Sequence, residues 1–272
     1  MKYRVIPLEI RDGLTNTSMD EALVTSLNSG PIVLFTSWNP TVSISWKQNL
    51  REDVNVKAAE RDAIDIVRRK SGGRAVYLDE GYVGFTVIQP RNGIENPTHV
   101  YDFWMSKALG ALHELDIGAK RHGSNDIVVN GKKIGNAAQQ QLTSDGIKYT
   151  LVHGSIRSYV KDFDVMMNVL QIAGVPLKGF SKEARGIITS AEDETNSNEK
   201  ELYNVLQKHL CPNGTVSSLS KEEKANVKML KAEYSKPEWI NGTGDEPSRG
   251  PCDFIFDKEL MIQSLRGKVT FL

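Results

Sequence analysis

Asn130-Gly131, placed between the β-forming residues 127–129 and 133–134, makes this chain turn back on itself as an antiparallel pair. A two-residue hairpin turn of the favoured type needs positive φ at both positions, which Asn and Gly tolerate best. A second fold-back is predicted at Asp79-Glu80-Gly81, between strands at 75–78 and 82–88. The turn Trp38-Asn39-Pro40 joins strands at 31–37 and 41–46. Further strands are expected at 1–10, 65–69 and 150–156. Helical spacing predicts helices at 17–28 (opened by Thr17 or Ser18), 54–61, 100–115 and 163–172. Hairpins interspersed with helices imply a mixed α/β (α+β) fold with a largely antiparallel sheet. A parallel doubly wound sheet would alternate strand and helix strictly.

After about residue 178 the pattern changes. A polar stretch at 190–200 precedes helices at 199–209 and 221–234, separated by the breaker Cys211-Pro212-Asn213-Gly214. The expected organisation is a sheet domain at 1–178, a small helical appendage at 179–245 and a C-terminal segment of uncertain placement at 246–272.

Thirty-four basic residues balance thirty-four acidic ones. No global field gathers nucleic acid, so partners must be recognised by local patches. No apolar run reaches the length needed to cross a bilayer. Cys211 and Cys252 lie far apart and suggest no disulfide framework, which points to a reducing cytoplasm.

Two segments carry chemistry. Arg68-Arg69-Lys70-Ser71-Gly72-Gly73-Arg74 is a basic glycine turn whose backbone can approach an anion. Taken alone, it is more often a plain tight turn with solvated arginines. Lys133 follows the Asn-Gly turn, and an ammonium group there can neutralise charge developing on phosphate and carboxylate oxygens. Lys132 faces the other way, because consecutive strand residues alternate. A surface Lys-Lys turn is the alternative. Asn125-Asp126 could serve a magnesium ion or merely start the strand as an Asx turn. His153 could line the same cavity, although a lone strand histidine is more often structural. The five histidines show no metal-ligand spacing, and Ser71 and Ser155 lie in no Gly-x-Ser-x-Gly elbow. Anion cradle and presented lysine together suit a protein that holds an acyl chain next to a phosphate.

In order and spacing, these segments resemble the lipoate–protein ligase and octanoyltransferase family, which includes the biotin–protein ligases. The residues concerned are Arg68 to Tyr77, Asn125-Asp126, Gly131-Lys132-Lys133-Ile134, Ala138-Gln139 and His153-Gly154-Ser155. Met19-Asp20-Glu21-Ala22, Pro40-Thr41-Val42, Gln48-Asn49 and the stretch from Glu233 to Asn241 add to it. The resemblance covers roughly residues 1–178, and the branch it points to is the ligase branch of the short archaeal-like type. It implies a biotin/lipoate ligase-like catalytic domain that activates lipoate with ATP to lipoyl-AMP. The lipoyl group then passes to a lysine of a lipoyl domain, in a 2-oxoacid dehydrogenase E2 or a glycine-cleavage H protein.

Carried over, Lys133 would contact the acyl carbonyl and the α-phosphate. Arg69, Ser71, Gly72 and Gly73 would line the acyl and phosphate cavity, and Val76 and Tyr77 would help hold adenine. Asn125 and Asp126 would serve phosphate and Mg2+, and Ala138 and His153 would complete the wall. Replacing Lys133 by Ala is expected to abolish transfer without unfolding, as at any rim position. Departures exist: Arg74 stands at the third glycine, Leu78 at a common histidine, Ser45 at a usual glycine and Asn136-Ala137 at a usual Gly-Ser. Gly-Gly-Arg-Ala-Val is similar to the octanoyltransferases, but residues 115–130 lack the cysteine that those enzymes use. The resemblance also implies that no full-size bacterial-type accessory domain is present, and that adenylation draws on a separate accessory subunit.

Overall fold

The computed structural model describes residues 3–24, 31–91, 96–144 and 146–242. The expected segment at 246–272 and the end of the helix expected at 17–28 lie outside them.

In chain order the elements begin with β1 (Arg4–Ile6), β2 (Ile10–Arg11), α1 (Gly13–Ala22), β3 (Ile32–Trp38) and β4 (Thr41–Ser45). Next come α2 (Leu50–Asp53), α3 (Val56–Arg61), β5 (Asp65–Arg69), β6 (Val76–Leu78), β7 (Tyr82–Arg91) and α4 (Pro97–Glu114). The middle of the chain forms β8 (Lys120–His122), β9 (Asp126–Val129), β10 (Lys132–Ser144), β11 (Ile147–Arg157) and α5 (Phe163–Val169). Then follow β12 (Gln171–Ile172), β13 (Val175–Pro176), α6 (Ser181–Arg185), α7 (Ala191–Thr195) and α8 (Glu199–Leu210). Last are β14 (Thr215–Val216), α9 (Lys221–Tyr234) and α10 (Pro237–Asn241).

The large sheet runs β14-β1-β3-β7-β11-β10-β9-β8, with β2 beside β3. It is antiparallel from β3 to β8 and parallel at the β1 end. A small sheet, β5-β4-β6, stands apart from it. The expected mixed, mostly antiparallel sheet flanked by helices is therefore found.

Local chemistry explains several boundaries. Asn130 and Gly131 have φ of 50° and 81°, the backbone of the expected two-residue turn. Helix α1 starts four residues before Thr17, because the Asp12 carboxylate accepts from the Thr15 N–H at 2.9 Å and caps it. Asn96 caps α4, and Pro97 occupies its first turn, where a missing N–H costs nothing. Capping boxes open α8 (Asn198 with Glu201) and α9 (Ser220 with Glu223).

One expected hairpin is absent. β6 pairs with β4 and β7 with β3 and β11, so Asp79-Glu80-Gly81 carries the chain from one sheet to the other. The polar run 139–141 hides the true length of β10, which pairs with β11 over its full extent.

Among the described residues, three large apolar cores hold these layers. On one face of the large sheet, Val33, Phe35, Phe85 and Val152 pack with Trp104 and Leu112 of α4 and Leu202, Leu206 and Leu210 of α8. Among the described residues, the composition change near residue 178 thus coincides with no separate hydrophobic core. On the other face, α1 and α9 cover Leu34, Ile88 and Leu151. The small sheet packs with α2, α3 and α5 through Val42, Ile44, Ala58 and Phe163. Between the small sheet, α1 and the second face of the large sheet the layers leave a cleft.

Candidate active site

Alternation along the large sheet sorts its central residues into an apolar row and polar ones. Phe35, Phe85, Gly154 and Ala137 lie opposite one another across β3, β7, β11 and β10, toward the α4–α8 core. The next row, Thr36, Gly84, Ser155, Asn136 and Asp126, crosses all five strands out to β9 on the cleft side. Leu34, Thr86, His153 and Ala138 form a parallel row two residues on. A Cβ at Gly84 would lie 2.3 Å from the Thr36 hydroxyl, so only glycine keeps that part of the floor level.

The cleft encloses about 80 Å³. Its floor is Thr36, Thr86, His153, Ser155, Asn136 and Ala138. One wall is Asn16, Thr17 and Asp20 of α1. The other is Ser43, Arg69, Val76 and Leu78 of the small sheet. A smaller cavity adjoins it, sharing Thr17, Asp20 and Arg69 and adding Ser71, Gln140 and Tyr234.

The glycine turn is built by its own arginine. Arg69 donates to the carbonyls of Ser43 at 2.8 Å, Gly72 at 3.0 Å and Arg74 at 2.8 Å. Gly73 takes φ of 101°, and a Cβ there would come within 3.0 Å of the Arg69 guanidinium. Arg69 therefore shapes the turn while lining the cleft. Arg68 points away and is buried, donating to the carbonyls of Ser45, Trp46, Gln48, Ile240 and Asn241. Burial pulls its pKa down. It tethers α10 to β5 rather than offering charge to an anion.

Ser71 Oγ lies 3.2 Å from His153 Nε2. The other ring nitrogen, Nδ1, is 3.5 Å from Asp20 Oδ2, and Thr86 Oγ1 donates to Asp20 Oδ1 at 2.8 Å. One polar relay thus joins the glycine turn, β11, α1 and β7.

Lys133 is only 3% exposed. Its ammonium donates to Asp126 Oδ1 at 2.5 Å. A register shift between Lys133 and Gly135 bulges the β9–β10 ladder, and on the other edge of β10 the segment before α7 pairs with Lys133 through a parallel bridge to Ile188. The Lys133 N–H donates to the Ile187 carbonyl at 2.8 Å, and the Thr189 N–H donates to the Lys133 carbonyl at 2.9 Å. The pair lies past Asn136, beyond one end of the cleft, whose lining it does not join. Lys132 is exposed, as strand alternation requires.

Of the residues singled out in the sequence, Arg69, Val76, Ala138 and His153 line the cleft and Ser71 lines its annex. Gly72 and Gly73 are exposed on the rim. Val76 and Tyr77 separate: Tyr77 turns into the small-sheet core and a third cavity with Asp79, Tyr82 and Arg157. The Asn125 carbonyl accepts from the Ala137 N–H at 2.9 Å and anchors β9 to β10. Asn16, Thr17, Thr36 and Ser43 carry no motif, and only the cap at Asp12 with a helical period from Gly13 could have turned α1 toward the cleft.

Among the described residues no group of three or more His, Cys, Asp or Glu could hold a metal ion. Asp126 is one carboxylate already engaged by an ammonium, which does not fit a resident magnesium site. Burial pushes the Asp79 carboxyl up to about 6, and the Cys211 thiol up to about 12. No described helix is long and apolar enough to cross a membrane.

Residues 12–197 match the family described as the lipoyl protein ligase A/B catalytic domain. Lipoate-protein ligase LplJ of Bacillus subtilis is 37% identical over 131 residues, 48% of this chain and 39% of that protein. Octanoyltransferase LipM of Staphylococcus aureus is 27% identical over 267 residues, 85% of this chain and 95% of that protein. The chain thus spans about half the length, or less, of several ligases it matches and nearly all of the octanoyltransferase. Among solved structures, a bi-partite lipoate protein ligase studied with its E2 lipoyl domain, from Thermoplasma acidophilum, superposes with a TM-score of 0.79. It is 23% identical and covers 92% of this chain and 99% of that one, so the two share a fold.

Proposed function

Since this chain belongs to the lipoyl protein ligase A/B catalytic-domain family, we propose that it is an ATP-dependent lipoate–protein ligase. Lipoate lies in the cleft with its carboxylate toward the Lys133 end and attacks the α-phosphate of ATP. Pyrophosphate leaves, and lipoyl-AMP remains. An acceptor lysine then attacks the acyl carbon, and AMP departs with its phosphate oxygen.

The single observation that supports this reading is the buried Lys133 ammonium beside Asp126, next to a cleft floored by small and polar residues. Out of bulk water, a fixed cation stabilises charge developing on the phosphorus and carboxyl oxygens far better than a solvated one does. Any magnesium the reaction needs would come bound to the phosphates of the nucleotide, leaving Asp126 to hold Lys133. The exposed Gly72 and Gly73 offer backbone to phosphate at the rim, and Val76 faces the acyl chain.

Mixing the chain with a lipoyl domain, lipoate, ATP and magnesium tests this. The expected outcome is an acceptor heavier by one lipoyl group, only when ATP is present. An acceptor left unmodified under every condition would leave an acyl or adenylate binder as the reading.

A second reading, ATP-independent octanoyl transfer, is favoured by the nearly full-length match to an octanoyltransferase. It lacks the cysteine nucleophile in residues 115–130.

A further inference from the structure

We propose that Ser71 is an acylable nucleophile, activated by His153 and oriented through Asp20, that accepts an acyl group from a thioester without ATP. The proposal stands apart from the adenylation chemistry above and rests on side-chain geometry alone. Ser71 Oγ sits 3.2 Å from His153 Nε2, within reach for proton transfer. Asp20 Oδ2 faces the opposite ring nitrogen at 3.5 Å, a looser contact of the kind that tightens on substrate binding. Thr86 fixes the Asp20 carboxylate from behind at 2.8 Å. Nucleophile, base and orienting carboxylate thus come from three separate elements, which is how such relays are recognised when no local motif announces them.

Position supports the assignment. Asp20 borders both cavities, His153 lines the larger and Ser71 the smaller. An acyl chain in the larger one, lying the opposite way round from the lipoate of the ligase reading, brings its carbonyl to the junction, and the thiol leaves through the smaller. Gly72 and Gly73 follow the serine directly, and a Cβ at Gly72 would meet nothing within 4 Å. Backbone N–H groups of that turn can face the oxyanion as it forms.

The chemistry balances. As Ser71 Oγ attacks the thioester carbonyl carbon, its proton passes to His153 Nε2. The C–S bond breaks, and the sulfur leaves as a thiol with that proton. The acyl group is now an ester on Ser71. The neutral amine of an acceptor lysine attacks it, His153 takes the amine proton, the C–O bond breaks and Oγ recovers the proton. A nucleophile of this kind would supply what the octanoyltransferase reading lacks.

Octanoyl-coenzyme A is the probe, mixed with the full chain without ATP, quenched in acid and weighed intact. The expected result is a gain of one octanoyl group that maps to Ser71 and resists neutral hydroxylamine, as an oxygen ester does. Ser71→Ala loses it. Ser71→Cys carries it as a thioester that hydroxylamine removes. Asp20→Asn slows acylation at least tenfold and changes its pH profile while the protein stays folded, which a purely packing role would not do. No adduct on either the native chain or Ser71→Cys overturns the proposal, as does an adduct that survives Ser71→Ala. ATP-dependent lipoylation measured in parallel reports separately on the ligase reading.

Discussion

At the scale of single residues, Lys133 changes character between sequence and structure. Its place after an Asn-Gly turn suggests a rim lysine that could be removed at little cost to stability. Instead it is buried, with its ammonium on Asp126. Truncating one partner of such a pair leaves the other charge desolvated, so Lys133→Ala should lose roughly 3 kcal/mol of stability as well as activity. Lys133→Met combined with Asp126→Asn should recover most of that stability in denaturant titration and none of the acyl transfer. Recovery of activity in the double variant would remove Lys133 from the chemistry. Asp79 makes a pH-dependent prediction. Burial raises its carboxyl to about 6 from an ordinary value of 3.8, and the Gly81 N–H donates to it at 2.8 Å. The native state therefore binds this proton more tightly than the unfolded chain does. Below pH 3.8 the group contributes nothing to stability; as pH rises from 3.8 to 6 the unfolded chain gives up this proton while the native state keeps it, so its contribution grows unfavourable and levels off at about 3 kcal/mol above pH 6. Asp79→Asn, which keeps the acceptor for Gly81, should flatten the fall in Tm between pH 4 and 7. An unchanged pH profile would count against that burial effect.

At the scale of elements, the tether between β5 and α10 is the least expected feature. Arg68 binds carbonyls of Ile240 and Asn241, while Trp239 Nε1 donates to the Arg68 carbonyl at 2.9 Å. Trp239 also stacks on Tyr234, whose hydroxyl donates to Glu21 of α1. Lys231 reaches Asp12 at the start of the same helix at 2.8 Å. The last described residues therefore bridge α1 and the strand that leads into the glycine turn, two walls of the site. Arg68→Met would strip several buried carbonyls of their donor and should cost about 3 kcal/mol. Hydrogen exchange should rise first in Pro237–Asn241, ahead of global unfolding. Uniform protection across the chain would mean that α10 holds its place without the arginine.

At the scale of the whole molecule, the large sheet is closed on one face by α4 and α8 and opened on the other into the cleft. Helices from both sides of the composition change at residue 178 share these cores. A separate accessory partner for adenylation is an expectation drawn from the sequence resemblance, and it is open to direct test. Purified chain given lipoate, ATP and magnesium should release pyrophosphate slowly, and faster once such a partner is added. Complete turnover by the chain alone would show that none is needed.

Short-range order could be derived from the chain itself. The Asn130-Gly131 turn follows from backbone sterics, and the α4 period and the Ser220–Glu223 box follow from residues three or four apart. So did the presence of a basic glycine turn, because a motif is local by definition. Contacts between distant segments were decided only on folding. No spacing reveals that β6 leaves β7 for β4, or that the segment before α7 covers Lys133. Positions 20, 71, 86 and 153 meet because four elements enclose one cleft. Which strand edge is free, and which side chain is shut away from water, depends on the sum of all the packing. That sum has no signature in any single stretch of sequence.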